Sequence, residues 1–441
     1  MKNLLLIITL FATIFVAQAQ NKKWTLKECV VYALENNISV KQSELDIDAT
    51  DADRLSALGN FLPTLSARGS YQANTGLSFN PTTNQAETVT FLSASGNINV
   101  GYTLFDGLRN FRQAQRAKLS RLSSQYRLSK MKDDISLFVA NGFLQVILNK
   151  ANLEVLIAQN EVTKEQIDRT KELVDAGVLP QGDLLEIQAT DASERQSIVN
   201  AQNTVQISLI SLAQLLLIED YENFDIEDEG YNIVDDGVSS QNVYTIIDSA
   251  KEVRSEIKIA EKSVELAEKD VQIAKGSYLP TLSAFFGYNT RYTDSDPTPF
   301  SEQIYINDGL GYGLSLNIPI LNGFAVRSNV MRNKINLERS KYQLEQAKLD
   351  LESTVYQAYV DAQGSQKSYE AAQLALESQQ LAYDYAKDRY DVGLTNAFDF
   401  SQSKLRYDNA RIQLNRAKYD YIFKLKVLEL YFGIPATELK F

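Results

Sequence analysis

The 441-residue chain carries 56 acidic and 44 basic side chains and a net charge of -12, which argues against binding to the phosphates of a nucleic acid. It contains no histidine and one cysteine, Cys29, so Ser/His/Asp triads, Cys/His dyads, histidine metal sites and an intramolecular disulfide are excluded. The acidic residues are scattered over polar helix faces and single out no catalytic carboxylate pair. We therefore expect no enzyme, no cofactor and no metal site.

Residues 1–20 read MKNLLLIITLFATIFVAQAQ, one lysine followed by an apolar run that ends in Ala17-Gln18-Ala19. This pattern predicts a secretory signal peptide at 1–19, cleaved before Gln20. A retained anchor is the weaker interpretation, because the run is shorter than the roughly 20 residues of a spanning helix. No later stretch approaches a transmembrane helix, so a membrane-embedded form of the protein would have to be a closed barrel.

One phrase occurs twice in the chain. GNFLPTLS at 59–66 returns as GSYLPTLS at 276–283, with six identical positions and an offset of 217. Downstream the offset becomes 216. There NINVGYTLFDG aligns with LSLNIPILNG, and DAGVLPQGDLL (175–185) aligns with DVGLTNAFDFS (391–401). The sequence therefore predicts two copies of one unit, at 20–235 and 236–441.

Each unit begins with a helical pattern and continues with a strand pattern. Around 30–58 and 241–275 apolar residues recur at intervals of three and four positions, which predicts amphipathic helices. After Pro63 and Pro280 the period becomes two, so each unit is expected to contain one long antiparallel hairpin, with polar loops near 74–88 and 293–303.

The hairpins place aromatic residues on one face and small polar residues on the other, as in Tyr71 and Gln72. Such alternation is typical of a membrane barrel strand, although a hairpin of a soluble sandwich alternates in the same way. Four strands are too few for a barrel, since the smallest outer-membrane barrels have about eight. Strands that enter lipid would therefore require the protein to oligomerise.

A long helix is expected after each hairpin. Residues 108–176 and 324–392 contain no proline and repeat apolar positions at seven-residue steps, a coiled-coil pattern. Each would be roughly 100 Å long at 1.5 Å per residue. Shorter helices are expected to return at 183–217 and 398–432. The acidic segment between the copies is either a solvated linker or a small collar, with short strands at Phe224, Ile226 and Val234.

The signal peptide, WTLKECVVYALENN at 24–37 and the doubled motifs FLPTLS, LFDG and DAGVLPQGDLL together resemble the TolC-type outer-membrane efflux protein family. The resemblance covers the mature chain and depends on the order of the motifs. It implies a mainly α-helical homotrimer, in which each protomer gives four strands to one 12-stranded membrane β-barrel that continues as a long α-helical coiled-coil barrel. It also implies that the protein lies in the outer membrane of a Gram-negative bacterium. The partners it implies are a periplasmic adaptor protein and an inner-membrane pump of the RND or ABC type.

The resemblance assigns roles to several turns. In this family the phrase with Gly and Pro marks the change from helix to strand, where proline ends the helix because it lacks an N–H group. The turns that begin the hairpins contain Gly59, Pro63, Gly276 and Pro280, and those that end them contain Gly107 and Gly323.

The family's adaptor docks at the periplasmic tips of the helical hairpins. The matching residues are Gly177, Val178 and Leu179 in the first copy and Gly393 and Leu394 in the second. Exposed Val178, Leu179 and Leu394 would be unfavourable without a partner, so we expect them to contact the adaptor. The alternative is an ordinary helix turn that packs within the trimer.

The family's periplasmic gate maps onto five positions. Asp183 and Asp399 match its acidic residues and also suit helix N-caps. Tyr390 matches the gate tyrosine and is expected to hydrogen-bond to Asp183. Thr395 stands where the family has an arginine, and Gln402 where it has a second aspartate, so an arginine–carboxylate lock is not expected at its usual place.

The resemblance implies the exit duct of a tripartite efflux system that exports small molecules. Two alternatives remain at this point: the exit duct of type I protein secretion, and a non-conducting trimeric coiled-coil scaffold. The second water-facing strand surface argues against the scaffold, because a passive stalk has no need of it. Three methionines and no histidine leave the chain without the soft ligands of a metal relay.

Overall fold

The computed structural model describes residues 22–80, 82–228, 230–235 and 237–435, so the predicted signal peptide at 1–19 lies outside the described residues. The first repeat contains a short helix, a leading helix, a hairpin, a long helix and a return helix. In chain order these are β1 (Lys23–Trp24), Leu26–Asn36, the first leading helix Ile38–Gly59, β2 (Thr64–Asn80), β3 (Gln85–Phe105), the first long helix Arg109–Asp175 and the first return helix Gln181–Leu216.

The second repeat has the same order, after a connecting strand and with one additional helix. The connecting strand is β4 (Asp225–Ile226). The elements that follow it are Val243–Val253, the second leading helix Ser255–Gly276, β5 (Thr281–Thr293), the short helix Phe300–Ile306, β6 (Gly309–Asn317), the second long helix Ala325–Asp391 and the second return helix Ala397–Phe432. The predicted long and return helices are confirmed to within two residues at each end.

The two hairpins form one antiparallel sheet in the order β2-β3-β5-β6. Thr64 pairs with Gly101 in the first hairpin, and Thr281 pairs with Asn317 in the second. These pairs are related by the offsets of 217 and 216, so the repeat holds at the level of strand register. β3 and β5 join the two repeats, with Val100 opposite Phe286.

The register gathers the apolar residues on one face of the sheet. Leu65, Val100 and Phe286 are directly opposite one another on three adjacent strands. On the other face Ser70 and Ser95 share a hydrogen bond of 2.7 Å. The alternation that the sequence predicted is therefore continued across strands.

The connections within the hairpins differ from the expected polar loops. In the first, the strands extend to Asn80 and resume at Gln85, because β-branched pairs such as Thr75 and Thr90, whose hydroxyls lie 2.8 Å apart, favour continued pairing. In the second, the expected loop contains the helix Phe300–Ile306. Buried Gln303 of that helix donates to the carbonyls of Thr293 and Thr298, which holds the connection together.

Each predicted leading helix is interrupted once. The first is broken at Asn37, whose backbone is extended and whose side chain accepts from the N–H of Ser39. The second is broken at Arg254, whose buried guanidinium lies 3.3 Å from Asp133 and 2.9 Å from Glu256. A side-chain cap and a buried ion pair thus override the continuous helical periodicity.

The segment between the repeats is a packed collar in its described part. β4 pairs in parallel with β1, so that Trp24 lies opposite Ile226. Lys150 of the first long helix binds the Asp225 carboxylate and the Ile226 carbonyl. Cys29 is fully buried in the adjoining core, and burial raises the pKa of its thiol to about 12, so it is a small apolar core residue. Of the three residues expected in short strands, Ile226 is in one, whereas Phe224 and Val234 are in none.

The chain forms two compact units, and each takes residues from both repeats. The helical unit comprises the described parts of 22–44, 127–257 and 346–435, and it contains the collar and the return helices. The sheet unit comprises 45–126 and 258–345 and contains the four-stranded sheet. Across the described ranges, no helix is long and apolar enough to cross a membrane.

Candidate gate and docking tip

Two helix reversals of the helical unit contain the predicted docking tips. Gly177 and Gly393 each have φ of +76°, the left-handed conformation that favours glycine. The N–H groups of Val178 and Leu394 donate back to the carbonyls of Leu173 and Arg389, at 2.9 and 2.8 Å. This pattern is the Schellman motif, in which carbonyls at the end of a helix gain partners. Both tips thus have the same backbone design.

The apolar side chains of the tips differ in exposure. Val178 is 63% exposed and Leu394 is 69% exposed. Leu179 is instead half-buried against a small core of Ile187, Tyr390, Ala397 and Phe400. The expectation that Leu179 is exposed is therefore wrong, because its side chain packs against this core. Val178 and Leu394 remain available at the surface of the chain.

Tyr390 is the central side chain of this small core. It is 1% exposed, and its ring stacks on Phe400 with centroids 5.1 Å apart. Its hydroxyl shares a hydrogen bond of 2.9 Å with Thr170 of the first long helix. The expected bond to Asp183 is replaced within this chain by the bond to Thr170. Burial raises the pKa of Tyr390, and the nearby Asp183 charge acts in the same direction.

Asp183 and Asp399 lie in the first turns of the two return helices, three residues after the residues that cap those helices. The caps are Pro180 and Asn396, and the Asn396 side chain accepts from the N–H of Asp399 at 2.8 Å. The prediction that the aspartates are N-caps is wrong, because both helices begin earlier. Their charges still lie at helix N-termini, where they are favourable.

Thr395 and Gln402, the two departures from the family's gate, lie near these acids. The Thr395 hydroxyl donates to the Asp399 carboxylate over 3.4 Å. Gln402 is exposed and lines a cleft that Lys404 and Glu194 also line. The structure thus brings Thr395 to Asp399, and it places Gln402 beside a charged cluster that the sequence did not reveal.

An arginine–carboxylate contact is present at a position that the sequence analysis missed. Arg169 Nη1 lies 3.1 Å from a carboxylate oxygen of Asp391, and Nη2 donates to the Asp391 carbonyl at 3.2 Å. The Nη1–carboxylate contact is an ion pair, and the Nη2–carbonyl contact is a hydrogen bond. Asp391 belongs to the repeated DAG/DVG motif, but Arg169 matches Tyr385 in the second copy, so the repeat gave no signal for the pair.

Lys404 joins the second return helix to the first helical hairpin. Its ammonium group is buried and donates at 2.8 Å to the Gln159 carbonyl, the Thr163 hydroxyl and the Glu194 carboxylate. All three ammonium protons therefore have partners. Removing Lys404 would leave Glu194 buried without its counter-charge, which makes this contact a strong link between the two hairpins.

Asp408 is the second acid near Lys404, with a carboxylate oxygen 3.8 Å from its Nζ. Burial, helped by the Glu194 charge, raises the pKa of Asp408 to about 6, and Lys404 and Arg411 only partly oppose this shift. The Asp408 carboxyl therefore changes its charge around pH 6. Nowhere in the described chain are three or more His, Cys, Asp or Glu side chains placed to hold a metal ion.

A sequence signal for this cluster exists. The first long helix carries polar residues at spacings of three and four along a face that is buried. These residues are Gln159, Thr163, Gln166 and Thr170. A polar stripe at helical spacing inside a coiled-coil pattern indicates partners that satisfy it, although it does not identify them.

The turns of the hairpins lie where the sequence placed them. Gly59 and Gly276 end the leading helices, and β2 and β5 begin directly after Pro63 and Pro280. Gly107 has φ of +74°, and a Cβ on it would lie 2.3 Å from the Gly276 carbonyl oxygen. A Cβ on Gly59 or Gly323 would meet no atom within 4 Å. Gly107 and Gly276 are therefore in close contact with each other, whereas Gly59 and Gly323 have free space around them within this chain.

The sequence matches the family model described as outer membrane efflux protein over residues 30–216 and 246–433. The chain belongs to the outer membrane efflux protein family. The match falls on both repeats, which confirms the resemblance that the doubled motifs indicated.

Solved outer membrane channels have the same fold at low identity. CmeC of Campylobacter jejuni has a TM-score of 0.79 at 18% identity, covering 94% of this chain and 86% of its own. VceC of Vibrio cholerae has a TM-score of 0.76 at 16% identity, covering 92% and 96%. The open state of MtrE of Neisseria gonorrhoeae has a TM-score of 0.69 at 16% identity, covering 92% and 88%. Among curated proteins, none matches the sequence significantly.

Membership of the efflux protein family assigns the chain to transport across the outer membrane as a class of function. The fold that supports this assignment is mainly helical, with two tandem repeats. The tips, the Tyr390 core and the Lys404 cluster are the features of this efflux protein on which a gating mechanism can be built.

Proposed function

We propose that this efflux protein is the homotrimeric exit duct of a tripartite export system in the outer membrane of a Gram-negative bacterium. It catalyses no reaction. A periplasmic adaptor and an inner-membrane pump of the RND or ABC type select and drive the small molecules that leave through it. The signal peptide at 1–19 directs the chain out of the cytoplasm, and the repeats at 20–235 and 236–441 each supply one hairpin and one helical pair to the duct wall.

The observation that carries this proposal is the sheet. In the described chain it has four strands, and its outer strands β2 and β6 each have one unpaired edge. Unpaired backbone groups in lipid cost several kcal/mol each, so a membrane sheet has to close on itself. Four strands are too few to close, whereas three copies supply twelve.

The two faces of the sheet support the same arrangement. The face with Leu65, Val100 and Phe286 is apolar and suits lipid, whereas the face with Ser70, Ser95 and Asn97 is polar and suits a water-filled lumen. A sheet of a soluble sandwich alternates in the same way, so it is the two unpaired edges together with the faces that favour a closed barrel. The long helices continue the duct into the periplasm as a coiled-coil barrel.

The gate in this proposal lies at the tips. Asp183 and Asp399 form carboxylate rings under threefold symmetry, which favour cations. The Tyr390–Thr170 bond, the Arg169–Asp391 contact and the Lys404 cluster hold the helices of one protomer together in the closed state. Thr395 and Gln402 complete the polar lining.

Docking of the adaptor is assigned to the exposed ends of the same helical hairpins. The turn at Gly177 exposes the apolar side chain of Val178, and the turn at Gly393 exposes that of Leu394. Leu179 packs beneath the first turn, against the Tyr390 core. Engagement by the adaptor separates the helices and opens the duct.

Conductance of the purified protein in a planar bilayer tests the proposal. We expect small cation-selective steps from the wild type and a loss of selectivity in Asp183→Asn plus Asp399→Asn. A matched control is Glu219→Gln plus Glu222→Gln, which removes two exposed charges from the collar segment and should leave selectivity unchanged. A stable trimer that never conducts, even with Tyr390→Phe, would favour a scaffold. Conductance that opens only for a protein substrate would favour type I secretion.

A further inference from the structure

The short helix Phe300–Ile306 connects the two strands of the second hairpin. In the first hairpin the strands instead remain paired as far as Asn80 and Gln85. The helix is therefore an element that the second repeat adds to the common plan. Neither the gate nor the docking tips account for it.

The helix is fixed to the end of the sheet by Gln303, which is 1% exposed. The Gln303 side chain accepts from the N–H of Thr293 at 3.0 Å and donates to the Thr293 carbonyl at 2.9 Å. Thr293 is the last residue of β5, so Gln303 takes the place of a further strand residue there. The amide also donates to the Thr298 carbonyl at 2.7 Å. The helix therefore has a defined position on the sheet.

The helix lies on the apolar face of the sheet. Phe286, Thr290 and Tyr292 are on this face, because side chains alternate along a strand. The Thr290 hydroxyl donates to the carbonyl of Ile304 at 2.7 Å. The Tyr292 ring packs edge-on against Phe300, with centroids 5.1 Å apart. Both contacts come from the apolar face, so the helix is on the side that the proposed duct turns towards lipid.

The helix is level with the outer end of β6. This strand has nine residues, Gly309–Asn317, and a strand that crosses a membrane has about 9–11. Its first residue, Gly309, pairs with Asn289, and the next residue of β5 is Thr290, which contacts the helix. The helix therefore lies where a strand of this length leaves the hydrocarbon part of a membrane.

The outer surface of the helix combines apolar and polar side chains. Phe300, Tyr305 and Ile306 are 56%, 75% and 65% exposed. Ser301 and Glu302 are exposed on the same short helix. Three large apolar side chains close together are unfavourable in water, and a carboxylate is unfavourable in hydrocarbon. Their combination suits the boundary between acyl chains and headgroups, where tyrosine rings are enriched in membrane proteins.

We propose that the helix Phe300–Ile306 is an interfacial anchor, which lies outside the sheet and binds the lipid at the boundary between acyl chains and headgroups. The proposal rests on the proposed function, because it requires the apolar face of the sheet to face lipid. It goes beyond that function, since the strands alone would close the duct. The anchor sets the height of the sheet in the membrane.

The occupant is lipid because the surface of the helix continues the apolar face of β6. Leu310, Tyr312 and Leu314 form that face and are 61%, 76% and 67% exposed. Tyr305 and Ile306 come directly before this strand at its outer end. A protein partner on the helix would have to share a surface with the lipid that covers β6.

Tryptophan fluorescence with quenchers at known depths tests the anchor. The chain has one tryptophan, Trp24, so a Trp24→Phe background gives each variant a single emitter. The full-length Tyr305→Trp variant is reconstituted in phosphatidylcholine vesicles whose acyl chains carry bromine either near the carbonyl or near the chain end. We expect a larger loss of intensity with the bromines near the carbonyl. Ile306→Trp is a second reporter on the same helix and should behave alike.

Two other tyrosines give matched controls. Tyr305, Tyr312 and Tyr385 are 75%, 76% and 73% exposed, so each substitution changes an exposed ring. Tyr312→Trp lies within β6 and should be quenched more strongly by the deep bromines than Tyr305→Trp is. Tyr385→Trp lies on the second long helix and should be quenched by acrylamide in the water and by neither brominated lipid.

Three results would overturn the anchor. Quenching of Tyr305→Trp by acrylamide alone, as in Tyr385→Trp, would place the helix in water. Protection from acrylamide and from both lipids would mean that protein, such as a second copy, covers the helix. Stronger quenching by the deep bromines would place it inside the hydrocarbon and away from the boundary.

Failure of the anchor is distinguishable from failure of the proposed function. If the lipids quench Tyr312→Trp but not Tyr305→Trp, the sheet lies in the membrane and only the anchor is refuted. If they do not quench Tyr312→Trp either, the apolar face of the sheet does not meet lipid, and the proposed duct fails first.

Discussion

The hydroxyl of Tyr390 lies 2.9 Å from the hydroxyl of Thr170, so a buried hydrogen bond joins the ends of the two long helices in the helical unit. Tyr390 also stacks on Phe400 of the second return helix. One side chain therefore links three helices close to both tips. A motion that separates the hairpins has to break this bond.

Tyr390→Phe removes the bond and keeps the ring. We expect a loss of about 1–3 kcal/mol in the stability of the closed arrangement, because the Thr170 hydroxyl is left buried without this partner. The measurement is mean conductance in planar bilayers, which should rise relative to wild type. Tyr385→Phe is the control, since Tyr385 is 73% exposed. Equal conductance of all three proteins would contradict the role of Tyr390 in closure.

Lys404→Met should destabilise the protein strongly. The substitution leaves Glu194 buried without its counter-charge, which costs about 3–5 kcal/mol. Denaturant unfolding followed by helical circular dichroism measures the change. Lys341→Met is the control, because Lys341 pairs with Glu338 on the surface at 2.8 Å and exposed ion pairs contribute little to stability. Similar losses in both variants would show that the Lys404 cluster is not a link between the hairpins.

Asp408 should make stability depend on pH. Its pKa in the folded chain is about 6, raised from 3.8, so the folded state binds more protons than the unfolded state between these values. The contribution of this carboxyl to stability is therefore present at low pH and is lost as pH rises towards 6 and above.

Asp408→Asn tests that dependence. The amide carries no charge, so the variant should unfold at a higher temperature than wild type at pH 7.5 and lose most of that advantage near pH 4. One pKa unit corresponds to about 1.4 kcal/mol, which sets a scale of roughly 1–3 kcal/mol for the difference. A constant difference between the two proteins across this range would place the cause elsewhere than in the titration of Asp408.

Gly393 should tolerate no side chain without strain. Its φ of +76° makes Gly393→Ala unfavourable by about 1–2 kcal/mol, although its surroundings are open. Gly364→Ala is the control, because Gly364 lies in the middle of the second long helix with open space around it, and alanine there should stabilise by up to about 1 kcal/mol. A bulky residue at 393 should abolish export and leave trimers intact. Normal export by Gly393→Trp would remove the docking role of this tip.

Gly107→Ala should disturb the hairpin end of the chain. A Cβ there would lie 2.3 Å from the Gly276 carbonyl, and φ is +74°. We expect loss of folded protein in membranes, measured as heat-modifiable protein on gels. Gly59→Ala is the control, because a Cβ on Gly59 would meet no atom within 4 Å and the fold of the chain should be unchanged. Equal effects of the two substitutions would mean that Gly59 contributes to the fold of the single chain.

The sequence alone determined the elements and their repetition. Apolar residues at every second position indicated the strands of the hairpins, and apolar residues at every third or fourth position indicated the helices. These patterns are visible in the sequence because the direction of a side chain depends on local backbone geometry. The offsets of 217 and 216 carried through to strand register, since Thr64–Gly101 and Thr281–Asn317 are equivalent pairs. The special turns at Gly107, Gly177 and Gly393 were visible because few residues adopt positive φ.

Only the tertiary structure decided which side chains meet across helices. Tyr390 binds Thr170 where the resemblance implied Asp183, Arg169 contacts Asp391, and Lys404 is buried against Glu194. These partners are between 210 and 222 residues apart in the chain. Periodicity shows which face of a helix is buried, but the rotation and height of one helix against another come from packing of all the side chains between them. That relationship selects the ion pairs and hydrogen bonds at the tips.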